Sequence, residues 1–177
     1  MVSKPFYIGS KLISAERAVS AIRAGNRIYI GTGCAAPHGL LVALEAMNPG
    51  PADLEFVSFV TTSALPQVEG ASKTHYRHRA FFVGSEMRSL AGSGQLEYVP
   101  ISLEEVPLLL TSGRLPIDVA LLQVSPPDAR GFVSLGVSVD LAPAILSVAR
   151  TVSRKSIQQC RALTVRALCT SIASMRW

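Results

Sequence analysis

The sequence predicts an α/β protein with an open, mainly parallel sheet flanked by helices. Helical and strand-like patterns alternate along the chain, and the strand candidates are short runs rich in β-branched and aromatic residues. One of them, Val119 to Val124, is apolar almost throughout, as a strand covered on both faces must be. With 177 residues and 49% hydrophobic composition the chain can bury one sizeable core, so one domain is the default.

The elements follow in order. "SAERAVSAIRAG" spaces Ala15, Ala18, Val19 and Ile22 on one helical face, with Ser14 as N-cap and Gly25 just past the end. "RIYIG" then reads as a strand, "GTGCAAPHG" as a glycine-rich turn and "LLVALEAM" as the next helix. After the turn-forming "NPGPAD", "LEFVSFV" is the second strand, "AFFVG" the third and "YVPI" a shorter one. "SLEEVPLLLTSG" places Glu105 three residues after Ser102, a capping-box spacing, and confines Pro107 to a first helical turn. "PIDVALLQVS" is the buried strand, "PPDARG" must turn, and "FVSLGVSVD" with "LAPAILSVAR" gives a last strand and helix.

Composition narrows the function classes. No stretch approaches the roughly 18 uninterrupted apolar residues of a bilayer span, and "MVSKPFYIGSK" has no hydrophobic signal core, so a cytoplasmic protein without membrane contact is expected. Three scattered cysteines give neither a disulfide framework nor a metal spacing, and Cys34 reads as a small apolar residue. His75 and His78 stand three apart in "THYRHRAFFVG", but nearby Cys or carboxylate ligands are missing; no metal is expected, and the segment reads as a solvated or anion-facing basic edge. The acids Glu45, Glu69, Glu86, Glu97 and Glu104 are scattered as surface residues are, and no nucleophile stands out.

Two loops follow the carboxyl ends of predicted buried strands, the edge at which open α/β sheets bind ligands. In "GTGCAAP", Gly31, Gly33 and Ala36 match a dinucleotide fingerprint. The acid that would hold a ribose is misplaced, because Asp53 and Glu55 begin the next strand rather than end it. That leaves a tight strand-to-helix turn, or a backbone cradle for an acyl group or phosphate at a helix N-terminus. In "VSPPDARGFVSLG", Pro126 and Pro127 stiffen the backbone, Asp128 suits an Asx-turn and Gly131 a positive φ. Such a loop is either a stiff connection or a wall for a thioester channel.

"GTGCAAP", "THYRHRAFFVG", "EYVPISLEEVPLLL" and above all "LPIDVALLQVSPPDARGFVSLGVSVD" resemble the N-terminal domain of the acetyl-CoA hydrolase/transferase family, from Ile13 to about Thr151. The resemblance implies a two-domain enzyme, homodimeric when intact, that moves coenzyme A between an acyl-CoA and a small carboxylate or water. Coenzyme A is then a substrate and no cofactor is needed. It also implies covalent catalysis by a glutamate of the C-terminal half, which no residue here matches, so the chain alone is expected to lack turnover. Gly31, Gly33, Pro37, Ser125, Pro126, Pro127, Gly131 and Gly136 match the cleft-side motifs of the family. A non-catalytic module binding coenzyme A or another anion is the alternative.

The charge is unevenly placed. Of 17 Lys and Arg, five (Arg154, Lys155, Arg161, Arg166 and Arg176) lie after Thr151, where there is no acid, and they account for the formal net charge of +5. A basic arm would bind nucleic acid or an anionic surface, and Ile157, Cys160, Leu168 and Ile172 have partial helical spacing. A different origin explains more. Taking the last base of each codon with the first two of the next, the junctions from Val152/Ser153 through Thr164/Val165 permit "IAEVNPAMPRTHG", which resembles the continuation of the family. Later junctions permit Ser, Phe, Val, His and Val. The expectation is a domain over residues 1–151, then a tail over 152–177 read out of frame, with no nucleic-acid partner and an unpaired sheet edge beyond Thr151.

Overall fold

A computed structural model describes residues 6–7, 13–47, 50–60, 76–129, 132–136 and 138–156. Its elements run β1 (Phe6–Tyr7), α1 (Ala15–Val19), β2 (Arg27–Ile30), α2 (His38–Glu45), β3 (Glu55–Ser58), β4 (Arg77–Ala80), β5 (Leu96–Tyr98), α3 (Val106–Thr111), β6 (Val119–Val124), β7 (Phe132–Val133), α4 (Ala142–Val148) and β8 (Thr151–Ser156). Short 3-10 turns cover Gly33–Ala35 and Ser85–Leu90.

Six strands form one parallel sheet in the order β5-β4-β3-β2-β6-β8. The open parallel α/β architecture expected from the alternating patterns is therefore present. Side chains alternate across the strands, so Ile28, Ile30, Phe56, Ala80 and Leu121 face a core with α1 and α2, while Tyr29, Val57, Ala120 and Leu122 face a second core with α3 and α4. Local signals fix the helix starts. The Ser14 side chain accepts the Arg17 amide at 3.3 Å, and Pro107 occupies the first turn of α3, where its missing N–H leaves no helical bond unmade. Ser102 Oγ donates to Glu105 Oε2 at 2.7 Å immediately before that turn.

Three sequence expectations need correction. The third strand is "RHRA", not "AFFVG": His78 and Ala80 point into the core at 2% and 0% exposure. A solvated basic edge therefore does not describe His78, which stacks on Phe56 at 5.3 Å. "FVSLGVSVD" is not a strand of the main sheet. Among its described residues the strand is Phe132–Val133, paired antiparallel with β1 in a separate ribbon. Third, the sheet does not end at Thr151, because β8 pairs in parallel with β6 from Val119↔Thr151 to Val124↔Ser156 and occupies the expected vacant edge. His75, Gly131 and residues 157–177, with the partial helical spacing in the tail, lie outside the described residues.

Candidate functional site

The strand order creates a site before any side chain is considered. From the central β2 the chain moves outward through β3, β4 and β5, then returns to place β6 on the other side of β2. The connections leaving β2 and β6 thus diverge at a topological switch point, where the carboxyl edge of an open sheet leaves a crevice. Those two connections are the glycine turn and the Pro-Pro loop.

Close packing shapes the glycine turn. A Cβ at Gly31 would overlap the Ala35 carbonyl oxygen, so the turn can fold back over this residue only because it is glycine. Gly33 has φ +50°, where an L side chain is strained, and its amide donates to the Val60 carbonyl at 2.9 Å. The amides of Gly31, Ala35, Ala36 and His38 also donate to carbonyls of Leu121, Thr32, Gly33 and Ala36. A backbone cradle must therefore draw on other amides of the segment. Pro37 stands at the N-cap of α2.

The loop after β6 is closed on itself. Ser125 is buried, and its amide donates to Ser134 O at 2.9 Å. Its Oγ accepts the Ser134 amide at 2.9 Å and donates to Pro126 O at 3.0 Å. Asp128 closes the loop over a longer span than an Asx-turn, with Phe132 N, four residues on, donating to its Oδ1 at 2.8 Å. Gly136 N donates to Ser134 Oγ at 3.1 Å, and Pro126 and Pro127 ride exposed on top. Ser125 is thus engaged in holding the loop, whereas the two prolines present its outer surface.

The two loops meet. Gln123 Nε2 donates to the Cys34 carbonyl at 2.8 Å, and Ser138 Oγ lies 3.7 Å from where a Gly33 Cβ would stand. Cys34, read from the sequence as a small apolar residue, is exposed on the turn. Beneath the turn the buried Tyr29 hydroxyl shares a 3.1 Å hydrogen bond with Thr32 Oγ1. Burial pushes the Tyr29 phenol up to about 12; the Thr32 bond opposes this and the charge of Asp140 adds to it. Gln123, Ser138 and Asp140 escaped the sequence reading because their partners are distant in the chain, and the local Tyr29–Thr32 pair because it lies inside a strand-and-turn pattern that reads as apolar. Asp140 carried a faint signal, an Asp before a proline-started helix, and it holds a φ of 30°.

Among the described residues no three His, Cys, Asp or Glu cluster as metal ligands, and no helix is long and apolar enough to cross a membrane. The carboxyl edge offers apolar surface, hydroxyls and close-packed backbone. These features suit binding and positioning of a thioester or anion better than metal chemistry.

Comparison with known proteins agrees with this arrangement. The model of the acetyl-CoA hydrolase/transferase N-terminal domain matches residues 6–156. The 4-hydroxybutyrate coenzyme A transferase of Clostridium kluyveri is 39% identical over 130 residues, covering 73% of this chain and 30% of that protein. The succinyl-CoA:acetate/propanoyl-CoA:succinate CoA transferase of Fasciola hepatica is 33% identical, over 75% of this chain and 28% of that protein. Among solved structures, RipA from Yersinia pestis superposes with a TM-score of 0.70 at 28% identity, covering 84% of this chain and 37% of RipA. The chain thus spans about a third of the length of these relatives.

Proposed function

The chain belongs to the acetyl-CoA hydrolase/transferase family as its N-terminal domain, and from that premise we propose that it supplies one wall of the cleft in which coenzyme A passes between an acyl-CoA and a small carboxylate. One observation carries the proposal: the glycine turn and the Pro-Pro loop, both within the family match, stand side by side on β2 and β6 at the switch point. Gly31 and Gly33 let the turn fold back tightly at the rim of the crevice, Pro37 starts α2 beside it, and Pro126, Pro127 and Gly136 shape the opposite lip.

Neither the glycine turn nor the Pro-Pro loop contains a glutamate. Asp128 is held within the Pro-Pro loop by the Phe132 amide, and the charge of Asp140 falls on the buried phenol of Tyr29. Purified chain should therefore give no exchange of labelled acetate into acetyl-CoA, and measurable turnover would refute the proposal of a half-site. The acetyl-CoA role, the cytoplasmic setting and a homodimer of the intact enzyme belong to the same proposal.

We also propose that residues 152–177 are translated out of frame. The physics of β8 supports this. Its ladder to β6 is made by backbone groups and tolerates any sequence able to extend. Its side chains suit the place poorly: on the face that Val152 turns to the α3/α4 core, burial draws the Arg154 guanidinium down to about 10. A cation in that position opposes burial, whereas the other frame permits "IAEVN" from the first five junctions. Sequencing the coding DNA decides the matter; triplets that do not spell that strand would sink the idea.

A further inference from the structure

The same edge carries exposed aromatic surface that the two loops do not use. Phe59 follows β3 and Phe82 follows β4, with ring centroids 6.5 Å apart and planes tilted by 45°. Phe59 is partly buried and packs against the core cluster that holds Val57, Phe81 and Tyr29, which anchors the inner ring. Phe82 remains 53% exposed although β3 and β4 are otherwise buried in their inward faces. The pair is tied to the glycine turn, because Gly33 N donates to the carbonyl of Val60, the neighbour of Phe59. Exposed apolar surface beside a ligand crevice marks where the apolar part of a ligand lies.

We infer that Phe59 and Phe82 form the wall against which the acyl chain of the thioester rests, making them specificity-determining residues for short, unbranched acyl groups. The inference rests on the proposed function and names its substrate contact. The occupant follows from position and from size. A phenyl pair next to a turn built for close backbone approach suits a few methylenes joined to a polar thioester. The related transferases are named for 4-hydroxybutyrate, propanoyl and acetate groups.

The test uses the full chain with ring-13C phenylalanine, its six Phe assigned by single Phe→Leu substitutions. The probes are the acetyl, propionyl and butyryl thioesters of N-acetylcysteamine, which carry no nucleotide. Saturable shifts are expected at the Phe59 and Phe82 rings. Affinity should rise about fourfold per added methylene, the gain from removing one CH2 from water. Phe82→Ser should flatten that ladder to less than about twofold per step, and Phe82→Leu, which keeps apolar area, should retain most of it. Unmoved rings, an unchanged ladder in Phe82→Ser, or ring shifts that follow protein concentration alone, as in contact with a second copy, would each overturn the inference. The acetate-exchange assay fails or succeeds separately: turnover by the chain alone removes the half-site reading, while the methylene ladder still reports on the aromatic wall.

Discussion

The two ends of the sheet are built from different chemistry. At the amino ends of the strands, charge is paired across neighbours. Arg27 reaches Glu55 Oε2 at 2.8 Å, Arg79 reaches Glu55 Oε1 at 2.9 Å and Glu97 Oε2 at 2.7 Å, and Arg150 reaches Asp118 at 3.3 Å. The Arg79–Glu55 contact is a charge contact off the hydrogen-bond line, while Arg27 Nε donates squarely to Glu55 at 2.9 Å. At the carboxyl ends, glycine, serine, proline and phenylalanine stand where such pairs would be. The lesson is a division of labour: ion pairs tie neighbouring strands at the amino end, and the carboxyl end, where the proposed site lies, is left without them.

The largest expected effect lies at the amino end. Glu55 is the hub of two half-buried guanidinium groups, with its side chain 11% exposed. Glu55→Ala takes from Arg27 its carboxylate partner and from Arg79 one of two, and should destabilise the fold by about 3 kcal/mol in urea denaturation, toward the lower end for a buried pair because Arg79 keeps Glu97 and both cations retain some solvent. Folded Glu55→Ala should still show the thioester-induced ring shifts. Loss of those shifts at native CD would break the division between the two ends.

His78 gives the next effect. Burial lowers its pKa from 6.5 to about 4, so between those values the unfolded chain binds a proton that the folded chain refuses. The contribution of this group is then complete above pH 6.5 and falls as pH drops toward 4, by about 3 kcal/mol in all. Urea midpoints measured across that range check this. His78→Gln should lose the slope attributable to this group, and an unchanged slope would place the acid sensitivity elsewhere.

The glycine turn tests the other end. Gly31→Ala forces a Cβ against the Ala35 carbonyl, which should destabilise by about 1–3 kcal/mol as the turn shifts. It should also weaken the thioester response more than Glu55→Ala does. A smaller effect, about 1 kcal/mol, is expected for Ser125→Ala, which removes the hydroxyl that closes the Pro-Pro loop. Thermal melts of the two variants rank them.

Much of this arrangement was legible because it is local. The helical spacing from Ala15, the unbroken apolar run from Val119 and the two glycines at Gly31 and Gly33 each signal structure within a few residues. What escaped was set at a distance. "RHRA" reads as polar because neutralisation of Arg79 comes from Glu55 and Glu97 on adjacent strands, and shelter for His78 comes from Phe56. Gln123 meets Cys34 across 89 residues, which no motif records. β8 was hidden for another reason: its pairing is made by backbone, while its side chains carry no strand pattern.

The central claim is that the carboxyl edge at β2 and β6 is one wall of a coenzyme A transfer site. The most direct measurement mixes the purified chain with a separately expressed C-terminal part of the Clostridium kluyveri relative and follows labelled acetate entering acetyl-CoA. The two parts of that relative, mixed in the same way, serve as the reference. The expected result is no exchange by the chain alone, exchange in the mixture, and a loss of about tenfold or more with Gly31→Ala as positioning fails. Exchange by the chain alone, or a silent mixture beside an active reference, would contradict the account.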